Sequence, residues 1–229
     1  MIIALEGLDG VGKTTQAVRL AERIGCCAGV CAHMMPDEYL TFTMDSTHPL
    51  VEDFLNGGFK YLQPKAVASA FALQRWGYFH DSGDFGRNFE FKSPNEVYVF
   101  DRYTGSNKAY QSARVGMKKR DYIRSWIDNF EHTDLGIPRP DLTIYLHADF
   151  NIIVDSLKNR EQSGKDLDDN ERNLEYLKDV YFEYLHIARE EEWEIIDCSP
   201  NAKMNPIEVV SRDIWWVVSE FLKRERVTT

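Results

Sequence analysis

The stretch that decides the fold is Gly7-Leu8-Asp9-Gly10-Val11-Gly12-Lys13-Thr14, which fits the pattern G-x-x-x-x-G-K-[ST]. A run of strand-forming residues, Ile2–Leu5, precedes it, and a helical pattern over Thr14–Ile24 follows, with Gly25 as the predicted stop. In such a unit the glycines let several backbone N–H groups point at one phosphate, and the start of the helix adds its positive dipole end. We therefore predict a phosphate-binding loop (P-loop). The alternative is a glycine-rich turn with a chance Lys-Thr pair, which the flanking strand and helix disfavour.

The residues of the P-loop have separate tasks in holding a nucleotide. Lys13 is expected to reach the β- and γ-phosphates of ATP, and the Thr14 hydroxyl is expected to hold Mg²⁺. ATP as co-substrate and Mg²⁺ are therefore both predicted. The predicted ATP-binding residues are Gly7, Leu8, Asp9, Gly10, Val11, Gly12, Lys13, Thr14 and Thr15.

The rest of the chain alternates apolar runs with helical patterns, which is typical of a parallel sheet covered on both faces. We predict one α/β domain over residues 1–229, with three layers and a five-stranded parallel sheet. The further predicted strands are Val30–Met34, Val97–Phe100, Leu142–Leu146 and Glu194–Asp197. The further predicted helices are Pro64–Phe79, Ser106–Val115, Asp121–Phe130, Phe150–Leu157, Asn173–Arg189 and Pro206–Leu222.

Composition narrows the possible partners. The 229 residues carry a formal net charge of −10, and this negative field disfavours binding to nucleic acid or to an anionic membrane. No apolar run approaches the ~20 residues that a membrane-spanning helix needs. Three cysteines, Cys26, Cys27 and Cys31, lie near His33 and could suggest a metal site, but their spacing matches no familiar zinc motif. Reduced thiols in a cytoplasmic protein are the favoured interpretation.

A second chemical signal follows the apolar run Val97–Phe100. Asp101 and Arg102 come directly after it, at the strand end where a parallel sheet places its ligand crevice. Asp101 could assist Mg²⁺ through water, and Arg102 could hold a phosphate with two parallel hydrogen bonds. A structural ion pair is the alternative for an isolated Asp-Arg pair.

Several motifs together resemble the thymidylate kinase family. The segment Asp101-Arg102-Tyr103-Thr104-Gly105-Ser106-Asn107-Lys108-Ala109-Tyr110-Gln111 is similar to that family's DRY-x-x-S-x-x-AYQ element. The P-loop with its acidic Asp9, the helix segment Phe71–Arg75 and Pro140-Asp141-Leu142 occur in the family's order. The resemblance implies the P-loop NTPase fold with strand order 2-3-1-4-5, a homodimer formed through helix faces, and transfer of phosphate from ATP to dTMP.

The resemblance also implies a role for individual residues around dTMP. Phe71 would stack on the thymine ring, Arg75 would donate to a thymine carbonyl, and Asn107 would read the edge of the base. Tyr110 would lie beside the 2′ carbon of the sugar, so that ribonucleotides are disfavoured. Phe71 and Tyr110 could instead be core residues, and Arg75 a surface charge. The full set of implied dTMP contacts is Asp9, Tyr39, Phe71, Arg75, Arg102, Ser106, Asn107, Tyr110 and Gln111.

The catalytic and metal residues follow from the same resemblance. Arg102 would hold the acceptor phosphate, and a lid over about residues 158–171 would bring Arg160 and Lys165 to the transferred group. The implied catalytic residues are Asp9, Lys13, Arg102, Arg160 and Lys165, and the implied Mg²⁺ residues are Thr14, Asp9 and Asp101. Two other functions stay open: a kinase of another deoxynucleotide or deoxynucleoside, and a non-catalytic nucleotide-binding module.

Overall fold

The computed structural model describes residues 1–28, 31–35, 62–80, 96–164, 167 and 169–227. Its centre is one sheet of five strands in the order β2-β3-β1-β4-β5, and every neighbouring pair is parallel. The strands are β1 (Ile2–Glu6), β2 (Cys31–Met35), β3 (Glu96–Asp101), β4 (Leu142–His147) and β5 (Glu194–Asp197). The predicted sheet, including its strand order, is confirmed.

Helices connect the strands, as a parallel sheet requires. They are α1 (Lys13–Ala28), α2 (Pro64–His80), α3 (Thr104–Ala113), α4 (Arg120–Asn129), α5 (Phe150–Gln162), α6 (Asp169–Arg172), α7 (Leu174–Glu190) and α8 (Ile207–Val227). Short 3₁₀ turns cover Met117–Lys119 and Pro200–Ala202, and a π-helical turn, Phe130–Asp134, follows α4. The prediction that Gly25 stops the first helix was wrong, because α1 continues past it to Ala28. A glycine weakens a helix interior by only about 1 kcal/mol, which packing of the apolar face offsets.

The two faces of the sheet belong to different cores because side chains alternate along a strand. On β1, Ile3 and Leu5 join the main core, which also includes buried residues of α1, α5, α7 and α8. Ile2 and Ala4 point the other way and pack in a second core with Phe79, Tyr103 and Ile137. Burial on both faces explains why β1 reads as a continuous apolar run.

The register of the sheet brings the two predicted motifs together. Leu5 of β1 is paired with Asp101 of β3, so the P-loop and the Asp101–Arg102 segment leave the same edge of the sheet. The backbone N–H of Arg102 continues this pairing and donates to the Leu5 carbonyl over 2.9 Å. The crevice at the carboxyl ends of the strands is therefore built from both motifs.

In the part of the chain that the structure describes, no helix is long and apolar enough to cross a membrane. Residues 158–162 of the predicted lid form the last turns of α5, and α6 follows at Asp169–Arg172.

Candidate active site

The P-loop turns between β1 and α1 through backbone conformations that favour glycine. Gly10 and Gly12 have φ angles of +84° and +96°, in the region that side chains disfavour. At Gly7 a Cβ atom would approach the Leu146 carbonyl oxygen to 2.8 Å, so any side chain would push the loop away from β4. Lys13 lies at the start of α1, is 5% exposed, and donates through Nζ to the Leu8 carbonyl over 2.9 Å. The loop thus has the fold that the motif predicts.

The carboxylate of Asp9 contacts three polar side chains at the mouth of the loop. Its Oδ1 accepts from Arg102 Nη2 and lies 3.6 Å from Lys13 Nζ, and its Oδ2 accepts from the Tyr110 hydroxyl over 2.8 Å. Burial alone would raise the pKa of Asp9, but the positive charges of Arg102 and Lys13 outweigh it and hold that pKa well below the usual range. Burial and the Asp9 carboxylate raise the pKa of Tyr110, so its hydroxyl stays a donor.

Arg102 is held in a conformation that needs support from its surroundings. Its φ angle is +70°, which costs about 1–3 kcal/mol for a residue other than glycine. Its Nη1 donates to the Gly7 carbonyl, the Ser106 hydroxyl and the Tyr184 hydroxyl, and its guanidinium lies 5.4 Å from the centre of the Tyr110 ring. These contacts aim the Arg102 side chain at the mouth of the P-loop.

Glu6 is a site residue that the sequence analysis missed. It is fully buried at the end of β1, and its carboxylate accepts from the backbone N–H groups of Tyr103 and Ser106 and from the Ser106 hydroxyl. A Cβ on Gly105 would meet Glu6 Oε1 at 2.7 Å, so glycine is needed there. Glu6 directly precedes the P-loop and therefore anchors the start of α3, which carries Ser106 and Asn107, to the strand from which the loop begins. An acidic residue ending a buried strand, immediately before the motif, was the signal available in the sequence.

Two of the predicted metal residues lie side by side. The Thr14 hydroxyl donates to Asp101 Oδ2, and Asp101 is 2% exposed. The other carboxylate oxygen, Oδ1, is buried and has no hydrogen-bond partner among the residues that the structure describes. A hydroxyl beside a carboxylate with spare acceptor capacity is the oxygen donor set that Mg²⁺ prefers, so these residues fit the ion.

Two of the predicted base-contacting side chains, one on α2 and one on α3, donate to the same buried acid, Glu131. Arg75 of α2 is 4% exposed, and its Nη1 donates to Glu131 Oε2. Asn107 of α3 is also 4% exposed, and its Nδ2 donates to Glu131 Oε1 over 2.7 Å. Phe71 lies one helical turn before Arg75 and is partly buried. Arg75 is therefore not a surface charge, and Glu131 is a second acid that the sequence analysis missed.

The remaining predicted residues lie nearby with other partners or outside the described residues. Arg160 of α5 forms an ion pair with the buried Glu171 over 3.0 Å. One turn earlier, the Ser156 hydroxyl donates to the Gly10 carbonyl over 2.9 Å and ties α5 to the P-loop. Gln111 is 1% exposed and accepts from Arg114 over 3.0 Å. Tyr39 and Lys165 lie outside the described residues.

A doubly wound parallel sheet, a P-loop and an arginine that directly follows the neighbouring strand β3 and contacts the loop define a P-loop kinase of the nucleoside-monophosphate kinase class. A sequence model of the family described as Thymidylate kinase matches residues 90–214, which is more than half of the chain. The chain is 30% identical to a probable thymidylate kinase from Archaeoglobus fulgidus over 230 aligned residues, covering 99% of this chain and 98% of the relative. This chain belongs to the thymidylate kinase family.

Two other comparisons agree with this assignment. A thymidylate kinase from Mycobacterium tuberculosis is 27% identical over 192 residues, which cover 82% of this chain and 86% of the relative. Among solved structures, a thymidylate kinase from Candida albicans aligns with a TM-score of 0.69 at 20% identity, covering 96% of this chain and 91% of that one. The family, the fold and the enzyme class predicted from the sequence are confirmed.

Proposed function

We propose that this protein transfers the γ-phosphoryl group of ATP to dTMP, giving ADP and dTDP, with Mg²⁺ bound. The observation that carries this proposal is the group formed by Asp9, Arg102 and Tyr110 across the mouth of the P-loop. An arginine that directly follows β3 and faces the loop is suited to bind an acceptor that already carries a phosphate, because a guanidinium can donate two parallel hydrogen bonds to it. Membership of the thymidylate kinase family supports thymidylate as that acceptor.

Catalysis would rest on bringing two anions into line and neutralising the charge between them. The P-loop N–H groups and Lys13 would hold the phosphates of ATP, while Arg102 would hold the phosphate of dTMP. Arg102 is already aimed by Gly7, Ser106 and Tyr184, so its side chain needs little reorientation when the acceptor phosphate replaces its contact to Asp9. Thr14 and Asp101 would hold Mg²⁺, which neutralises charge on the phosphate oxygens. Arg160 and Lys165 would add positive charge from the lid.

The acceptor pocket would be lined by α2 and α3. Phe71 would stack on thymine, and Arg75 and Asn107 would read its edge, because both side chains have one buried polar atom without a partner in the described part of the chain. Tyr110 would border the sugar, since its ring is held beside Asp9 by the hydroxyl contact. The family resemblance adds Ser106, Gln111 and Tyr39 to this pocket.

We also propose that the chain forms one domain and acts as a homodimer in the cytoplasm. Outward-facing residues of α2 form an apolar stripe in which Leu73 is 49% and Trp76 is 39% exposed, with Ala66 and Ala70 on the same face. Small residues between larger apolar ones allow two helices to approach closely. In the described residues Cys26 and Cys198 are free thiols, which agrees with a reducing compartment. Light scattering during size-exclusion chromatography tests the dimer, and Leu73→Glu should give monomers.

The test of the reaction is a coupled ADP-release assay with dTMP, dCMP, dUMP, dGMP and unphosphorylated thymidine as acceptors. We expect dTMP to have the highest kcat/KM and Mg²⁺ chelation to stop turnover. A chain that prefers thymidine over dTMP would be a deoxynucleoside kinase. A chain that binds ATP but phosphorylates none of the panel would be a nucleotide-binding module. Either result would replace the proposed function.

A further inference from the structure

The buried acid Glu131 lies where no motif predicts a functional residue. It is fully buried, and it belongs to the π-helical turn Phe130–Asp134 that follows α4. The turn is held by N–H donation from Leu135 to the Phe130 carbonyl and from Ile137 to the Glu131 carbonyl, each over 2.9 Å. Such turns insert an extra residue into a helix and are frequent at functional sites. Here the turn directs an acid at the two predicted base-reading side chains, Arg75 and Asn107.

Glu131 determines which way the Asn107 amide points. One N–H of Nδ2 goes to the Ala68 carbonyl over 3.0 Å, and the other goes to Glu131 Oε1 over 2.7 Å. Both partners are acceptors, so the reversed amide would place its oxygen against two other oxygens. Both amide hydrogens are used, and the Asn107 carbonyl oxygen is left buried without a partner among the described residues. A ligand meeting Asn107 would therefore meet an acceptor.

The Glu131 carboxylate also fixes the orientation of the Arg75 guanidinium. Glu131 Oε2 accepts from Arg75 Nη1, and the Tyr103 carbonyl accepts from Nη2 over 3.1 Å. These contacts hold both ends of the guanidinium fork, and Nε–H is left as a buried donor without a partner in the described part of the chain. A single acid thus sets the polarity of the Asn107 amide and the orientation of the Arg75 guanidinium, which is always a donor, before any ligand arrives.

We propose that Glu131 is the positioning residue that selects bases with an N–H next to a carbonyl. Thymine, uracil and guanine present such an N–H and C=O side by side, which matches the acceptor of Asn107 and the donor of Arg75. Cytosine presents a ring acceptor beside an amino donor, so both contacts would be mismatched. This inference rests on the proposed function, because it concerns the acceptor base of the same reaction.

The substitution Glu131→Gln separates this role from simple packing. Glutamine has the same shape but offers one acceptor and one donor, so it cannot accept from Arg75 and Asn107 at the same time. If its oxygen faces Arg75, its amino group faces the Asn107 amino group and favours the reversed Asn107 amide. If its oxygen faces Asn107, Arg75 loses its partner. Either arrangement therefore releases one of the two groups that Glu131 holds, the Asn107 amide or the Arg75 guanidinium.

The experiment compares kcat and KM for dTMP, dUMP and dCMP in the wild type, Glu131→Gln and Glu131→Asp. In the wild type we expect dTMP to exceed dCMP in kcat/KM by about tenfold to a hundredfold, the usual effect of one buried mismatch. In Glu131→Gln we expect this ratio to fall by about tenfold, through a higher KM for dTMP and dUMP. The kcat for dTMP should change little, because Glu131 contacts none of the proposed phosphate-binding groups. Glu131→Asp keeps the charge but cannot reach both partners, so it should lower the ratio as well.

Glu183→Gln is the matched control. Glu183 is also a buried acid, and it accepts from two arginines, Arg120 and Arg124, and from Ser112. Its substitution should lower the thermal midpoint and leave the dTMP-to-dCMP ratio unchanged. A wild-type ratio that persists in folded Glu131→Gln and Glu131→Asp would overturn the role of Glu131 and leave the proposed function standing. A wild type that uses dTMP and dCMP equally would overturn the base selection itself, whereas a wild type that phosphorylates neither would overturn the proposed function.

Discussion

Replacement of Tyr110 tests whether the sugar is selected by the ring or by the hydroxyl of this residue. The hydroxyl already donates to Asp9 Oδ2 over 2.8 Å, and the ring packs edge-on against Tyr176 and Tyr184, with centroids 6.3 and 6.2 Å away. Because the hydroxyl is committed to Asp9, we expect the ring edge to exclude a 2′-hydroxyl. A 2′-hydroxyl that clashes or loses its hydrogen bonds costs about 1–3 kcal/mol, so wild type should favour dTMP over its ribose form by about tenfold to a hundredfold.

The two substitutions at Tyr110 have different expected results. Tyr110→Phe removes one hydrogen bond to a charged group and should destabilise the fold by about 1.5–3 kcal/mol while keeping most of the sugar discrimination. Tyr110→Ala also removes the ring, and should shift the ratio toward ribose by about tenfold or more. Its stability loss should stay below the ~3–5 kcal/mol of a fully buried ring, because Tyr110 is only partly buried.

The assay is the ratio of kcat/KM for dTMP to kcat/KM for ribothymidine monophosphate, measured where every variant is folded. Tyr176→Phe is the control, because it removes the neighbouring hydroxyl that donates to the Tyr110 carbonyl over 2.7 Å. It should leave the ratio unchanged. If folded Tyr110→Ala keeps the wild-type ratio, Tyr110 is only a packing residue and the reasoning is refuted. If Tyr110→Phe alone abolishes discrimination, the hydroxyl selects the sugar.

Three other perturbations probe different parts of the site. Lys13→Ala should lower kcat by about a hundredfold to a thousandfold without a large change in thermal midpoint, and near-normal turnover would contradict the predicted phosphate site. Arg102→Ala should raise the KM for dTMP by about tenfold to a hundredfold, and an unchanged KM would favour an acceptor without a phosphate. Burial lowers the pKa of His132 below its ordinary 6.5, so the stability that its neutral form contributes is present above that pH and is lost as the pH falls. His132→Asn can keep the contact to the Ile137 carbonyl. When the pH falls from about 7 to about 5, the thermal midpoint of this variant should therefore fall less than that of the wild type. An equal fall in both proteins would contradict this.

The fold could be predicted from the sequence because its signals are local. Five apolar runs and the patterns between them gave strands and helices close to those observed, and the right-handed connection of parallel strands restricts how they assemble. Pro64 begins α2 as the pattern predicts, and Asn173 caps α7 by accepting from the Tyr176 N–H over 3.2 Å. The strand order came from the family resemblance, since periodicity does not specify which strands are neighbours.

The site was predictable only where its residues belong to a motif. Asp9, Lys13 and Arg102 were found by motif and lie together, whereas Glu6 and Glu131 were not considered. Glu131 contacts Arg75 and Asn107 across 56 and 24 residues of chain, and its own surroundings read as the polar end of a helix. Its burial depends on the π-helical turn, for which sequence patterns give no reliable signal. The contacts of Glu131 are therefore visible only in the tertiary structure.

The three predicted ligand-binding arginines that the structure describes have one feature in common, and it bears on how ligands would bind. Arg102 is paired with Asp9, Arg75 with Glu131, and Arg160 with Glu171. A buried cation without a partner is costly, so the pairings of Arg75 and Arg102 keep these buried arginines oriented while their ligands are absent, whereas the Arg160 side chain is 37% exposed. The pairs of Arg102 and Arg75 differ in whether a ligand must compete with the paired carboxylate. A phosphate that binds Arg102 competes with a carboxylate for the same guanidinium, which lowers its net affinity. A base that binds Arg75 can use the remaining Nε–H and leave Glu131 in place. The phosphate contact is therefore suited to transfer and release, and the base contact to recognition.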